Sequence, residues 1–352
     1  MPQRAALLVL VVLVSACGAQ SAAGTTGSPS GKNPAPAHAL AQCTDSKLTS
    51  TAGQLTPTHA HPGVTEFVLA NGGGPTAVAA APSDKAWVTL EDSSQVIQLD
   101  KAGSTAQYKL PHLTSQPGSY TAADGQGGLW FPERGTGAIS HLDTAGNYRT
   151  CVLPFGAEPI AVALAPDGQV WFADFSGSRA GRIDSSGKIV YWSLSGHLGQ
   201  PSGIEVAKDG SAWVTDFASN SLAHVDAQGS VAFTHLPVAG GAFQIYLAMD
   251  GSLWIAQEGA DRIARISTDG KLSDIKLTSA GTHQPQAITQ AKDGSFWFTE
   301  SRGDRLGHIV AGSTAVTEIG PLGRWPDGIA TSGATIWFTE YYGQSIGFVD
   351  SP

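Results

Sequence analysis

The sequence predicts an all-β fold: a seven-bladed β-propeller of four-stranded blades, with the ring closed by an N-terminal strand that completes the last blade. Tryptophan recurs at intervals of 40 to 43 residues, and in most repeats a proline precedes it in constant phase. A repeat of this length without helical periodicity is typical of propeller blades. The repeat tryptophans are Trp87, Trp130, Trp171, Trp213, Trp254, Trp297 and Trp337.

Each repeat divides into four short strands, and the sixth repeat shows the division most clearly. An innermost strand, "QAITQA" (286–291), is followed by the turn Asp293-Gly294 and by a second strand, "SFWFTE" (295–300). "DRLGHIV" (304–310) and "AVTEIG" (315–320) then supply the third and fourth strands. An Asp-Gly pair between apolar alternating runs is a strong hairpin signal, so each repeat is expected to form one antiparallel sheet.

The two ends of the repeat region predict how the ring closes. The last repeat ends after its third strand, "SIGFVD" (345–350), while an unassigned strand, "GVTEFVL" (63–69), precedes the first repeat and resembles "AVTEIG". If the early strand is the missing fourth strand, every blade is complete and no sheet edge is left open at the junction. The predicted propeller domain therefore spans residues 61–352.

The N-terminus has the pattern of a lipoprotein signal peptide. Arg4 precedes the apolar run "AALLVLVVLV" (5–14), which is too short to span a bilayer, and "VSAC" then ends at Cys17. This resembles the bacterial lipobox, in which the signal is cut before a cysteine that is then acylated. We predict a signal peptide over 1–16, lipidation of Cys17 and an extracytoplasmic protein anchored to the bacterial membrane; plain secretion is the alternative.

Residues 17–60 are rich in Ala, Gly, Ser, Thr and Pro, which predicts a flexible tether. Two further cysteines, Cys43 and Cys151, follow Cys17. Outside the cytosol two such cysteines can form a disulfide, and the sequence leaves their pairing open. Their spacing does not indicate a metal site.

Charge limits the kind of partner. The net charge is −9 and no block of Lys or Arg occurs, which excludes nucleic acid as an expected ligand. A monomer that binds a small neutral or cationic molecule fits this composition.

One position of the repeat predicts a candidate site. The first strand begins, and the second strand ends, at the same face of the ring. The position three after each tryptophan should therefore line a mouth at that face, and it is acidic in most blades. These residues are Leu90, Glu133, Asp174, Asp216, Gln257, Glu300 and Glu340.

The position after the repeat proline is the second position expected at this face, and it reads Thr76, Gly118, Ile160, Ser202, Gln244, Gln286 and Asp327. Carboxylates around one opening suit Mg²⁺ or Ca²⁺, with Glu300 and Glu340 as the predicted ligands. The other interpretation is one structural hydrogen bond per blade. Repetition favours that interpretation, because a site for chemistry needs asymmetry.

The phrases "GSFWFTE … LGHIV", "GQVWFAD … AGRID" and "ATIWFTE … SIGFVD" resemble repeats of the virginiamycin B lyase (streptogramin lyase) family. The resemblance implies a seven-bladed propeller that opens a cyclic depsipeptide ester by elimination, with Mg²⁺ polarising the ester and a histidine as base. At the family's two histidine positions this sequence has Gln286 and Asp327, and Trp325 stands at an acidic position. Glu340 alone matches the family's functional set.

His283 is the histidine best placed to substitute, since it precedes Pro285 on the mouth face. The candidate catalytic residues are therefore His283 and Asp327, and the sequence leaves open whether the protein is an enzyme. Its predicted function is to bind a small molecule or divalent cation at the mouth. The alternatives are an active metal-assisted lyase or lactone hydrolase, as in gluconolactonase-type propellers with acid-lined mouths, and a protein-interaction scaffold.

Overall fold

The computed structural model of the chain describes residues 36–59, 61–279 and 281–350. The predicted signal peptide and Cys17 lie outside these residues. The described part forms seven antiparallel sheets whose innermost strands contact one another around a ring and enclose a central channel. The predicted seven-bladed propeller is confirmed. We call the face where the first strands begin the upper face, and the opposite one the lower face.

Blades 4, 5 and 6 have four strands each. From the channel outwards, blade 4 comprises Pro201–Val206, Ala212–Asp216, Ser221–Val225 and Val231–His235. Blade 5 comprises Ala242–Leu247, Leu253–Gln257, Arg262–Ile266 and Leu272–Lys276, with a short 3₁₀ helix at Glu258–Ala260. Blade 6 comprises Pro285–Gln290, Phe296–Glu300, Arg305–Ile309 and Val316–Ile319. The described residues contain no helix with the length and apolar character needed to cross a bilayer.

The other four blades have a fifth strand at the outer edge. Blade 1 comprises Pro75–Ala81, Lys85–Leu90, Gln95–Leu99, Ser104–Lys109 and Ser50–Gln54. Blade 2 comprises Ala122–Ala123, Leu129–Glu133, Ala138–Leu142, Asn147–Val152 and Gln42–Lys47. Blade 3 comprises Pro159–Leu164, Val170–Asp174, Arg179–Ile183, Lys188–Ser193 and Ala37–Leu40. Blade 7 comprises Pro326–Ser332, Thr335–Glu340, Ser345–Asp350, Val64–Val68 and Pro57–Thr58.

Ring closure follows the prediction. Val64–Val68 pairs antiparallel with Ser345–Asp350, and Phe67 lies opposite Ile346. Both side chains are fully buried, in one apolar cluster with Trp337. The early strand therefore completes the last blade and contributes to its core.

The segment from 37 to 58 differs from the predicted tether. Its four short strands pair with the outer edges of blades 3, 2, 1 and 7 in turn, so the segment runs around the ring as a belt. Most of its side chains are exposed. Pairing with a sheet edge requires backbone hydrogen bonds and no apolar alternation, which is why composition did not indicate these strands.

A disulfide joins this belt to blade 2. Cys43 and Cys151 face each other in the register of adjacent strands, and the structure contains the bond between them. The pairing that the sequence left open is therefore made, across 108 residues of chain.

Two of the repeat tryptophans donate hydrogen bonds to the neighbouring blade. Trp87 is fully buried, and its indole Nε1 donates to the Gly127 carbonyl of blade 2 at 2.8 Å. Trp337 donates to the Asp84 carbonyl of blade 1 at 3.1 Å, across the closure. A buried indole N–H needs an acceptor, and the next blade supplies it.

The glycine of the third strand is required by packing. A Cβ on Gly307 would lie 2.0 Å from the Phe298 ring, and one on Gly347 would lie 2.2 Å from Phe338. This close approach explains the glycine that recurs in "LGHIV" and "SIGFVD".

Candidate functional site

The repeated acidic position does not line the mouth. Its polar members are 0% to 1% exposed and lie inside the blades. This corrects the predicted lining role of Glu133, Asp174, Asp216 and Gln257. Gln286, at the other ring position, is also buried, at 6% exposure.

Most of these buried side chains bind groups of their own blade or of the loop that enters it. Asp174 accepts from the Glu158 amide at 2.9 Å, just before the first strand of blade 3, and the Arg179 Nε donates to it at 2.8 Å. Asp216 accepts from the Gln200 amide at 2.5 Å, at the same place in blade 4. The position therefore ties the loop that enters a blade to the end of the second strand, which is the structural interpretation.

The residue one position earlier explains why the acids face away from the channel. Side chains alternate along a strand, and a threonine at this earlier position binds the next blade. The Thr299 hydroxyl donates to the Asp327 carbonyl at 2.7 Å, and the Thr339 hydroxyl donates to the Thr76 carbonyl at 2.7 Å. The threonine in the "FT" that precedes the acid in the repeat phrase could have indicated this orientation from the sequence.

His283 and Glu300 are brought together as expected, but within blade 6. His283 Nδ1 lies 2.6 Å from Glu300 Oε2, and its Nε2 lies 3.2 Å from the Ser279 carbonyl. Burial raises the pKa of the Glu300 carboxyl; the hydrogen bond from His283 opposes that shift. The histidine is 1% exposed, so no substrate reaches it in this conformation.

Glu318 joins this pair in a group of the kind that can hold a metal ion. Ligand atoms of His283, Glu300 and Glu318 all lie within 4.8 Å of one another. Glu318, however, is paired with Arg305 at 2.9 Å and accepts from the Ser279 hydroxyl at 2.6 Å. The group is a closed hydrogen-bonded network in which a cation would compete with an arginine.

Glu340 is buried in blade 7, beneath the loop that precedes its first strand. Ser345 donates a hydrogen bond to it, and the Gly323 amide also supports it. Burial raises the pKa of Glu340 to about 7. Glu300 and Glu340 thus have separate partners, so the shared opening expected of these two predicted metal ligands is not formed by their carboxylates.

Asp327 does face the channel. The residue is partly exposed, and no donor among the described residues contacts its carboxylate. Loss of solvation raises its pKa well above the usual range, and the charges of Glu91 and Glu258 raise it further. Glu91 lies in the neighbouring blade 1 and Glu258 in blade 5, so acids from three blades come near one another around the channel. We call Asp327, Glu258 and Glu91 the channel acids.

Glu258 is the second of these acids without a hydrogen-bond donor among the described residues. It follows the second strand of blade 5, and burial raises its pKa while the charge of Arg302 lowers it. Glu91 holds the matching place in blade 1 and lies 3.9 Å from Arg134. The residue at this position, four after the tryptophan, differs from blade to blade. That variation in the sequence could have indicated a candidate site here.

Aromatic side chains adjoin the channel acids. Tyr120 is buried, its ring meets Phe243 edge-on at 5.6 Å, and its hydroxyl donates to the Gln286 carbonyl at 3.5 Å. Burial and the nearby Asp327 and Glu258 raise the pKa of Tyr120. The upper opening therefore combines negative charge with apolar ring surface.

The register of blade 5 also corrects one ring position. Ala242 pairs with Gln257 as Pro285 pairs with Glu300, so Phe243, and not Gln244, follows the proline position. Gln244 instead accepts from the Ile288 amide at 2.6 Å.

Comparison with known proteins agrees with this architecture. The sequence profile described as the virginiamycin B lyase family matches residues 62–344. A virginiamycin B lyase of Nocardia farcinica is 36% identical over 100 residues, which cover 28% of this chain and 35% of that relative. The match thus spans about a third of the relative's length.

Solved structures extend the likeness over the propeller. Virginiamycin B lyase from Staphylococcus aureus has a TM-score of 0.75 and 25% identity, covering 82% of this chain and 99% of its own. A catalytically inactive histidine-to-alanine variant of that enzyme with quinupristin gives a TM-score of 0.76 at 25% identity, with the same coverage. A gluconolactonase from Xanthomonas campestris shares the fold, with a TM-score of 0.51 and 14% identity over 91% of this chain and 99% of its own.

Proposed function

This chain belongs to the virginiamycin B lyase family, and from that premise we propose that it binds a small cationic ligand at the upper opening of its channel. The observation that carries the proposal is Asp327, a channel-facing residue whose carboxylate has no donor among the described residues and has two other acids near it. Arg302 lies near Glu258, and Arg134 lies near Glu91. No cation in the described part of the chain offsets the charge of Asp327, and an ionised carboxylate that loses solvation near other acids is unfavourable unless a cation joins it. A bound cation would remove that cost.

The ligand is a divalent cation or the ammonium group of an organic molecule, since both supply the same positive charge. Carboxylate oxygens are the donors that Mg²⁺ and Ca²⁺ prefer, but the channel acids do not form a group with ligand atoms within 4.8 Å of one another among the described residues, so they would hold such an ion partly through its bound waters. Asp327 and Glu258, with Glu91, are the residues that would hold it. If bound there, the ion would polarise an ester carbonyl of a second ligand.

The family's elimination is not the function that these residues favour. It needs a base at the two histidine positions, and Gln286, which holds one, is buried and cannot accept a proton at neutral pH. Binding without turnover therefore fits the site best.

A second candidate, turnover of a cyclic ester, rests on Asp327 itself. It occupies the other histidine position, and its raised pKa makes it a stronger base than an ordinary aspartate. Incubation with quinupristin, the molecule named with the inactive relative, separates the possibilities. Elimination opens the ring at constant mass, hydrolysis adds the mass of one water, and binding alone returns the compound unchanged.

We propose that the protein works outside the cytosol, anchored through Cys17. The predicted signal peptide and the disulfide between Cys43 and Cys151 support that location, because disulfides persist in oxidising compartments.

Calorimetric titration of the purified protein with CaCl₂, MgCl₂ and ethylammonium chloride tests the cation site. We expect at least one of these to bind, and Asp327→Asn to weaken its binding by about tenfold or more. Asp269→Asn, in an outer turn of blade 5, is the matched control and should bind as the parent does. Equal affinity in Asp327→Asn, or no binding of any of the three cations, would refute the proposal.

A further inference from the structure

The lower half of the channel contains a cavity of about 380 Å³ that the proposed function does not use. In each blade one residue of the innermost strand lies opposite the repeat tryptophan, and across the seven blades these residues are Ala79, Ala122, Ala163, Glu205, Tyr246, Thr289 and Ala330. All of them except Ala122 and Ala163 line the cavity.

The repeat is broken at this position on one side of the ring only. Four blades have alanine there, whereas the successive blades 4, 5 and 6 have Glu205, Tyr246 and Thr289. A requirement of the fold would recur in most blades, as the buried acids of the second strands do in five of the seven. Three polar side chains in neighbouring blades, facing small residues, instead form an asymmetric surface of the kind that a ligand site needs.

Hydrogen bonds link two of these side chains and leave the third without a side-chain partner. The Thr289 hydroxyl bonds with Tyr246 and lies 3.1 Å from the Thr331 hydroxyl. The Glu205 carboxylate accepts from the Val206 amide, and no side-chain donor among the described residues contacts it. Lys292 also lines the cavity but is an exposed residue.

We propose that this cavity is a second ligand site, which takes a small primary ammonium group against Glu205 with Tyr246 and Thr289 as additional polar contacts. A single carboxylate suits an ammonium group better than Ca²⁺, which requires six to eight oxygen ligands. The alanines of the opposite wall leave room for a short alkyl group. An anion would be repelled by the ionised form of Glu205.

The ionisation of Glu205 gives the site a pH dependence. Burial raises the pKa of Glu205 to about 8, so the empty cavity holds a mostly protonated acid at neutral pH. The titratable groups that face it in the cavity are Tyr120, Tyr246 and Lys292. An ammonium ligand needs the ionised form, so its affinity should rise with pH up to about 8 and then level off, with one proton released on binding.

Ethylammonium chloride is the probe, and Asp327→Asn/Glu258→Gln/Glu91→Gln is the background, so that the upper opening contributes no binding. In this background we expect calorimetric titration to give a Kd of about 1 mM that tightens with rising pH. Adding Glu205→Gln should weaken binding by about tenfold or more, with no loss of melting temperature, since the change removes a desolvated acid. 1-Propanol, which has similar shape and no charge, is the control and should not bind.

Three results would overturn the inference: no saturable binding of ethylammonium in the background variant, equal binding of 1-propanol, or equal affinity after Glu205→Gln. None of them bears on the cation site of the upper opening, because the background variant lacks it. Loss of binding in Asp327→Asn alone would likewise concern only the upper opening.

Discussion

His283 and Glu300 form a buried hydrogen bond, with Nδ1 and Oε2 2.6 Å apart, at the end of a strand where a mouth residue was expected. The bond fixes the loop that enters blade 6, because His283 precedes the first strand and Glu300 ends the second. The same joint recurs in other blades with backbone amides as donors. A repeated joint of this kind is part of the architecture.

Glu300→Gln should therefore lower stability by about 1–3 kcal/mol and leave cation binding at the upper opening unchanged, because it weakens a buried charge-assisted bond. Chemical denaturation and calorimetric titration of the same preparation measure the two effects. Asp269→Asn serves as the surface control. Weakened cation binding at unchanged stability would show that Glu300 contributes to the ligand site after all.

For Glu340 we predict a pH-dependent effect on stability, because its pKa is raised to about 7 from 4.5. The folded state holds the proton of Glu340 more tightly than the unfolded state, so the contribution of this group to the free energy of unfolding is fully present below pH 4.5 and is lost as pH rises through about 7. The loss is on the order of 3 kcal/mol. The glutamine in Glu340→Gln has no proton to lose, so the variant's free energy of unfolding should increase relative to the parent's across that pH interval.

Melting temperatures of parent and Glu340→Gln, measured across this pH range, test the linkage. The difference between the two curves should change with pH and then level off above about pH 8. Parallel curves would mean that Glu340 titrates at an ordinary pKa and that solvent reaches it.

Cys17→Ser should release the protein from the membrane fraction, because the acylated cysteine is the proposed anchor. Fractionation and immunoblotting of cells that express either form measure the distribution. Retention of the variant in the membrane fraction would mean that another feature anchors the protein.

How far the sequence predicts this protein depends on which interaction decides each feature. The spacing of Trp297 and Trp337 predicts the blades and the closing strand, since strand pairing follows local periodicity. The predicted orientation of the Glu300 and Glu340 side chains was wrong, because it depends on loops that offer amides and hydroxyls only in the folded blade. The strands of the belt were not predicted, because pairing at a sheet edge uses the backbone. The channel acids were not predicted, because the residue at their position varies between repeats.

Two truncations test the closing strand separately from the belt. Deletion of residues 1–60 removes the belt and its disulfide but keeps Val64–Val68, whereas deletion of residues 1–70 removes that strand as well. The first should lower stability by about 2–4 kcal/mol, chiefly through loss of the disulfide and edge pairing. The second also uncovers the core of blade 7 and should cost at least about 3 kcal/mol more.

The longer deletion lowers the free energy of unfolding further because it removes two buried side chains and exposes the sheet edge that they cover. Val64 and Phe67 are 1% and 0% exposed, and burial of each contributes about 1.5–3 kcal/mol. Without them Ile346 and Phe348 face water beside an unpaired strand, so the longer deletion should also aggregate. Thermal denaturation and size-exclusion chromatography measure both effects. Equal stability and solubility of the two truncated chains would show that Val64–Val68 adds nothing to the ring, and closure would then depend on the belt.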